Sequence, residues 1–298
     1  MHYAQVLGRR VRIDSFYPGV VGLNSYANTL SNTYKNEDDK MEFNNMTAFV
    51  TGGGSGIGEA TAKALAAKGA LVAVGDVDLV NATKVVKAII DQGGKALAVP
   101  IDVSDADSVH SAFCAAETWY GESTNLLVNS AGILGIHPFI DYPVELFIKV
   151  MAVNVTGAFL CSQRAAKSML TKGFGRIVNV ASVSAQRAGV GRTAYGTSKA
   201  AMVGLTKQLS MELGPHGITA NSIAPGPVLT PLTEASYTPE TIEAYTSMIP
   251  ARRLGVLEDM SAAILFLLSD SAAYINGAYL PVDGGYLASG VSKTGKIN

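Results

Sequence analysis

From Met46 onward, short apolar and β-branched runs alternate with longer stretches whose apolar positions recur at helical spacing. The short runs, at 47–51, 71–76, 96–102, 126–129, 176–181, 219–224 and 278–282, have the length of strands. The stretches between them, at 57–68, 80–92, 108–120, 147–170, 193–213 and 259–268, have the period and length of helices. Strand and helix alternating at this spacing predict an α/β domain, a doubly wound parallel sheet with crossover helices on both faces. In such a sheet the ligand sits beyond the carboxyl ends of the strands, where the strand order reverses.

Residues 1–45 depart from this pattern. They show no sustained periodicity, are rich in Asn, Ser and Tyr, and end in the polar run 35–40. Three readings stand beside one another: a natural extension, translation from a start upstream of Met41, and a targeting peptide, to which Arg9, Arg10 and Arg12 lend slight support. We favour an accessory extension at 1–45 and a single catalytic domain at 46–298.

Composition narrows the function classes. Apolar residues make up 48% of the 298, charged residues 16%, and the net charge is −1. That balance allows a sizeable core and lacks the basic excess of a nucleic-acid binder. The apolar run at 262–268 is far shorter than the roughly 20 residues of a membrane helix, so no membrane partner is expected. Cys114 and Cys161 fall in helical stretches, and His2, His110, His137 and His216 are scattered. A metal site needs clustered ligands, so none is expected. Free thiols fit a reducing, cytoplasmic setting.

The first strand runs into Thr51-Gly52-Gly53-Gly54-Ser55-Gly56-Ile57-Gly58, and a helix follows. Glycines let the backbone turn tightly and approach a pyrophosphate, and the helix N-terminus offers unpaired N–H groups. The spacing is neither the more widespread Gly-x-Gly-x2-Gly nor a nucleotide triphosphate loop. The second strand ends at Asp76, whose carboxylate suits ribose hydroxyls and repels a 2′-phosphate. No Arg or Lys adjoins it, and Ser55 stands where a phosphate-binding Arg could be. Both features point to NAD rather than NADP.

Further along, Tyr195-Gly-Thr-Ser-Lys199 follows Ser182 by thirteen residues. Together with the glycine turn, this constellation resembles the short-chain dehydrogenase/reductase family, in its common single-domain branch, over residues 46 to about 287. The resemblance implies a Rossmann-type fold. It implies cofactor contacts from Thr51, Gly52, Ser55, Gly56, Ile57 and Gly58 in the turn, and from Asp102 and Val103 near the adenine. It also implies contacts from Asn129, Ala131 and Gly132 after the fourth strand, and from Pro225, Gly226, Val228 and Thr230 near the carboxamide. Ser130 replaces the family's second Asn, which puts some sheet-stabilising hydrogen bonds in doubt. The segment 282–285 matches one that in relatives lies near subunit contacts. Asn154, Ser182, Tyr195 and Lys199 match the catalytic set, with Asn154 supporting a water relay.

Elementary chemistry agrees with that assignment. Tyr195 and Lys199, four apart, share one helix face. A free phenol has a pKa of about 10, too high for a base near neutrality; a nearby ammonium and a positive nicotinamide ring are expected to lower it. Ser182 closes a strand at the same sheet edge and can hold the substrate oxygen. The expected activity is hydride transfer between nicotinamide and a secondary alcohol or ketone, with a small polyol, sugar or hydroxy acid as substrate. A 3-oxoacyl reductase and a silent NAD-binding regulator are the alternatives. Expected pocket walls are Ile133, Leu134 and His137, the segment 183–192 and the segment 227–250. Arg187 and Arg192 read either as binders of an anionic substrate or as solvated loop residues. The helical stretches 147–170 and 193–213 carry more apolar residues than one sheet face can cover, which predicts a homotetramer or homodimer.

Overall fold

Seven strands form one parallel sheet in the order β5-β4-β3-β6-β7-β8-β9. They are β3 (Thr47–Thr51), β4 (Leu71–Asp76), β5 (Lys95–Pro100), β6 (Leu126–Asn129), β7 (Gly175–Val180), β8 (Ile218–Pro225) and β9 (Tyr279–Val282). Our computed structural model describes residues 3–6, 9–12, 42–234 and 237–290. The order reverses between β3 and β6, which pair Thr51 with Asn129 at their carboxyl ends. β3 also pairs with β4, setting Thr51 beside Gly75. The strands β3, β6, β7 and β8 are buried throughout, as parallel strands covered on both faces must be.

Helices cover both faces. They are α1 (Gly56–Ala67), α2 (Leu79–Asp91), α3 (Ala106–Tyr120), α4 (Val144–Met151), α5 (Gly157–Lys172), α6 (Thr193–Leu213), α7 (Pro231–Glu234), α8 (Pro239–Met248) and α9 (Leu257–Leu268). One core layer joins α1, α2 and α9 to the sheet through Leu65, Val85, Ile264 and Leu268. The opposite layer joins α3 and α5 through Phe113, Cys161 and Met169, with Phe113 stacked on Phe49 at 4.2 Å. Asp78 and Asp105 start α2 and α3 by accepting backbone N–H groups of the first turn.

Three details differ from the sequence reading. The helix expected at 147–170 runs from Val144 to Lys172 and is interrupted by a π-helical turn, Ala152–Thr156. The segment 227–250 contains α7 and α8, neither with a buried residue, so neither shows an apolar stripe. The domain boundary lies before 46: Phe43 is only 2% exposed, packs in the core and donates its N–H to Lys68 O. The chain divides into two compact units, Met1–Asp39 and Lys40–Asn298. In the first, β1 (Tyr3–Val6) pairs antiparallel with β2 (Arg9–Arg12), strands of four residues, too short to show a period.

By length and composition Val144–Lys172 could cross a membrane, with mean hydropathy 1.7. Its polar groups are instead bonded across the fold. Asn154 bonds to Ile133 and Ser198, Ser162 accepts from Asn129, and Arg164 pairs with Glu117 of α3. These contacts make it a helix of the α/β domain.

Candidate active site

The glycine turn after β3 is shaped by close backbone approach. Gly52 has φ +63°, and a Cβ there would lie 2.7 Å from Ala131 Cα, so the turn abuts the segment after β6. Thr51 fastens the same junction: its Oγ1 accepts from Ser130 N at 3.2 Å and from Ala131 N at 3.3 Å. A side chain on Gly58 would run into the Gly52 carbonyl, so α1 starts tight against the turn. Asp76 Oδ2 accepts from Gly54 N at 2.9 Å and Oδ1 accepts from Asp78 N at 2.9 Å. A Cβ on Gly54 would stand 2.8 Å from Asp76 Oδ2. The middle glycine is therefore what lets the carboxylate fold back onto the turn, a role the motif spacing did not indicate.

A cavity of about 590 Å³ opens along the carboxyl ends of the strands. At one end lie Gly52, Ser55, Gly56, Ile57, Asp76, Asp102 and Val103. Ala131, Gly132, Ser182, Tyr195 and Lys199 line its middle segments, with Pro225, Gly226, Val228 and Thr230 across from them in the chain. Asp102 accepts from Ser104 N and Oγ, and these bonds, the hydroxyl's first, hold its carboxyl below the usual range. Four expected contact residues are absent from the lining: Thr51, Gly58, Asn129 and Asn154. They support it from beneath, because each is committed to neighbouring backbone or buried side chains. Asn129 Nδ2 donates to Asn179 Oδ1 at 2.8 Å and Ser162 Oγ at 3.0 Å. These bonds tie β6 to β7 and α5 at the level of the site, with Ser130 contributing only its N–H to Thr51 in this region.

The catalytic candidates converge. Tyr195, in the first turn of α6, shares the cavity wall with Ser182, which lies two residues beyond β7 and begins a short 3-10 turn. Ser182 Oγ also accepts from Ser184 N at 3.1 Å, and its carbonyl accepts from Tyr279 Oη at 2.9 Å. Lys199 is 4% exposed, donates to Val180 O at 2.7 Å, and lies 5.6 Å from the Tyr195 ring centre. Burial pushes its ammonium down to about 8. Burial also pushes the Tyr195 phenol up, opposed by the Ser182 side chain and by the charge of Arg192. The lowering expected from Lys199 is thus not a property of the chain by itself: the ammonium is held by Val180 rather than by the phenol. Asn154 sits in the π turn with three side-chain hydrogen bonds. Oδ1 accepts from Ile133 N at 2.8 Å, while Nδ2 donates to Ile133 O at 3.1 Å and Ser198 Oγ at 3.0 Å. Ser198 Oγ in turn donates to Tyr195 O at 2.7 Å. The Asn154 side chain therefore links the β6 loop to the Tyr195 helix.

The walls match in part. Ile133 and Leu134 line the cavity, while His137 does not and rests edge-on against Tyr142 at 5.8 Å. Arg187 is no solvated loop residue: its guanidinium lies 4.3 Å over the Tyr286 ring and donates to Tyr286 O at 3.1 Å. Tyr237 and Tyr245 come from the expected wall 227–250, whereas sequence reasoning missed Lys149 and Tyr286. Tyr286 reaches the cavity because Asp283 accepts from Gly285 N and Leu287 N, and Gly226 N donates to Val282 O. The one signal for it was an aromatic directly after the Gly284-Gly285 pair.

The groups present fit a dinucleotide. The cavity reaches the N-terminus of α1 at Gly56, where a Cβ would face the cavity-lining Thr230 and Pro231 at 3.8 Å; carboxylates stand at the ends of β4 and β5, and a buried ammonium stands beside the phenol. Comparison with known proteins agrees. A family model described as enoyl-(acyl carrier protein) reductase matches residues 52–287. The L-rhamnose 1-dehydrogenase (NAD(P)(+)) of Azotobacter vinelandii is 39% identical over 245 residues, covering 80% of this chain and 95% of the relative. The NAD-dependent glycerol dehydrogenase of Listeria innocua is 35% identical over 254 residues, covering 85% and 98%. A short-chain type dehydrogenase/reductase from Mycobacterium marinum superposes with a TM-score of 0.79 at 35% identity, covering 83% of this chain and 98% of that structure. With its parallel sheet, glycine turn and Ser182–Tyr195–Lys199 cluster, the chain belongs to the short-chain dehydrogenase/reductase family and is an oxidoreductase acting on CH–OH groups.

Proposed function

We propose that this protein is an NAD-preferring dehydrogenase of a small polyhydroxylated alcohol, a polyol, sugar or hydroxy acid. NAD, when bound, supplies the hydride acceptor. Tyr195 Oη takes the alcohol proton as the carbonyl forms, or returns it in reduction. Ser182 Oγ, on the same cavity wall as Tyr195, orients the substrate oxygen. Lys199 offers its ammonium to the ribose hydroxyls and, with the charged ring, favours the phenolate. Asn154 positions the β6 loop and the Tyr195 helix. Asp76 would hold the adenosine ribose. Its carboxylate is oriented by two backbone N–H groups, and Val77 and Asp78 beside it give a 2′-phosphate no cation. Thr51, Gly58 and Asn129 shape the cofactor bed from beneath.

The observation that carries this reading is the buried Lys199 ammonium 5.6 Å from the Tyr195 ring, on a cavity wall that Ser182 shares. A regulator has no use for a buried ammonium beside a phenol at the cavity wall. Relatives acting on rhamnose and glycerol support the substrate class. The test follows NADH absorbance across polyols, sugars, hydroxy acids and 3-hydroxyacyl thioesters. Turnover confined to thioesters, or none with any alcohol despite NADH binding, would overturn it.

A further inference from the structure

The charged groups on the cavity wall sort by partner. Its only acids, among the described residues, are Asp76 and Asp102, both just beyond strand ends at the cofactor side. Of its four cations, Lys199 donates to Val180 O and Arg187 is tied to Tyr286, while Lys149 is exposed and its charge acts on Asp102 at the cofactor side. Arg192 is left: among the described residues it makes no ion pair and its guanidinium no hydrogen bond, although it lines the cavity three residues before Tyr195. The residue is half-buried, shares the cavity wall with Tyr195, Tyr237 and Tyr286, and its charge acts on all three phenols. Its stem is seated on Gly189, where a Cβ would lie 3.1 Å from Arg192 Cδ. A cation beside a half-buried site, with no counter-ion in reach, is matched by an anion on the ligand.

We propose that Arg192 is the carboxylate-binding residue of the substrate pocket, so that the preferred substrate is a small hydroxy acid or sugar acid rather than its neutral polyol. The proposal rests on the dehydrogenase reading and narrows it. A monoanionic carboxylate matches one guanidinium through a two-pronged pair. A phosphate dianion would leave a charge uncompensated here, because Lys199 and Arg187 are engaged and the charge of Lys149 acts on Asp102. Tyr237 and Tyr245 supply ring faces and hydroxyls for the remaining carbon chain; their rings lie 5.4 Å apart, on the wall near Arg192.

The test uses matched pairs that differ only in the terminal group: glycerate and glycerol, threonate and threitol, gluconate and sorbitol, with glycerol 3-phosphate as a further arm. The wild type should favour the acid of at least one pair in kcat/KM. Arg192→Gln should cut the acid-to-neutral ratio at least about tenfold, as expected for a hydrogen-bonded charge, and Arg192→Lys should restore part of it. A change in packing alone would lower both members equally. In parallel, calorimetric titration of the NADH-saturated protein with sodium gluconate should give binding that weakens similarly in Arg192→Gln, a readout that needs no turnover. Preference for the neutral member in every pair, an unchanged ratio in Arg192→Gln, gluconate binding equal in both proteins, or preference for glycerol 3-phosphate would each overturn the proposal. Turnover of neutral polyols alone would leave the dehydrogenase reading standing; failure to oxidise any alcohol would remove that reading instead.

Discussion

Lys199 Nζ lies 5.6 Å from the centre of the Tyr195 ring and donates to the carbonyl of Val180 rather than to the phenol. Burial pushes the phenol above its ordinary value, and Lys199 is not among the groups that oppose it in the free protein. The charged form of a phenol is the phenolate, which burial disfavours. In the free protein Tyr195 should stay protonated past the ordinary phenol pKa of about 10. With NAD bound, the positive ring should bring it down. Alcohol oxidation, which needs the phenolate, should rise with pH and level off below pH 10 or so. Ketone reduction, which needs the phenol, should be flat at low pH and fall over the same range. An ultraviolet difference titration of wild type against Tyr195→Phe reads the free-protein value. A phenol titrating near neutrality in the free protein would refute this account. The same Tyr195→Phe variant should lose at least about a hundredfold in kcat while keeping its NADH affinity.

Asp76 should control cofactor choice. NADH should bind more tightly than NADPH, and Asp76→Ala should narrow the difference by removing the charge that faces the 2′ position. The substitution also frees Gly54 N and Asp78 N, so some affinity for both cofactors should go with it. Fluorescence titration of the two reduced cofactors against both proteins decides the point. Equal affinities in the wild type would contradict it.

Asn154→Ala should destabilise the fold and slow turnover together. It deletes three hydrogen bonds, leaves the Ile133 N–H and carbonyl without their partner, and frees the helix that carries Tyr195 from the β6 loop. Loss of a buried amide serving such groups costs roughly 2–4 kcal/mol, which scanning calorimetry resolves as a drop of several degrees. An unchanged melting temperature would mean that the π turn holds its shape without this side chain.

The protein should assemble as a dimer or tetramer through α4, α5 and α6. Ile148, Phe159, Leu170 and Met211 are exposed on these helices, Met211 at 75%. Light scattering at micromolar concentration should give a multiple of 31.0 kDa, and a charged residue in place of Phe159 should shift it toward the monomer. A wild type that scatters as the single chain would end this proposal.

A chain beginning at Met41 should keep its fold and its turnover. The Lys40–Asn298 unit contains all the motif residues, together with Phe43 and the Glu42–Lys68 ion pair at 2.8 Å. Beginning at Met46 instead should cost stability, because it removes Phe43 from the core. Truncation at 41 that abolishes turnover would show that residues 1–40 serve the site.

Several features were legible in the residues alone. Six helical stretches and seven strands declared the doubly wound sheet, because burial on two faces leaves apolar runs and helix stripes that any window of the chain displays. The Gly52–Gly58 turn and the Tyr195/Lys199 spacing were legible for a similar reason: a turn needs its glycines in sequence, and a helix puts residues four apart on one face. Other features needed tertiary contact. That Gly54 makes room for Asp76, that Asn154 is spent on Ile133 and Ser198, and that the Lys199 ammonium belongs to Val180 are relations between residues 20 or more positions apart, except the last, which is 19 apart. The fates of the arginines separated in the same way. Arg187 and Arg192 are the same residue type in one loop, and only the placement of Tyr286, almost a hundred residues on, ties up the first and leaves the second facing the cavity. A side chain's partner depends on where distant segments meet, and local pattern records only which face each segment buries.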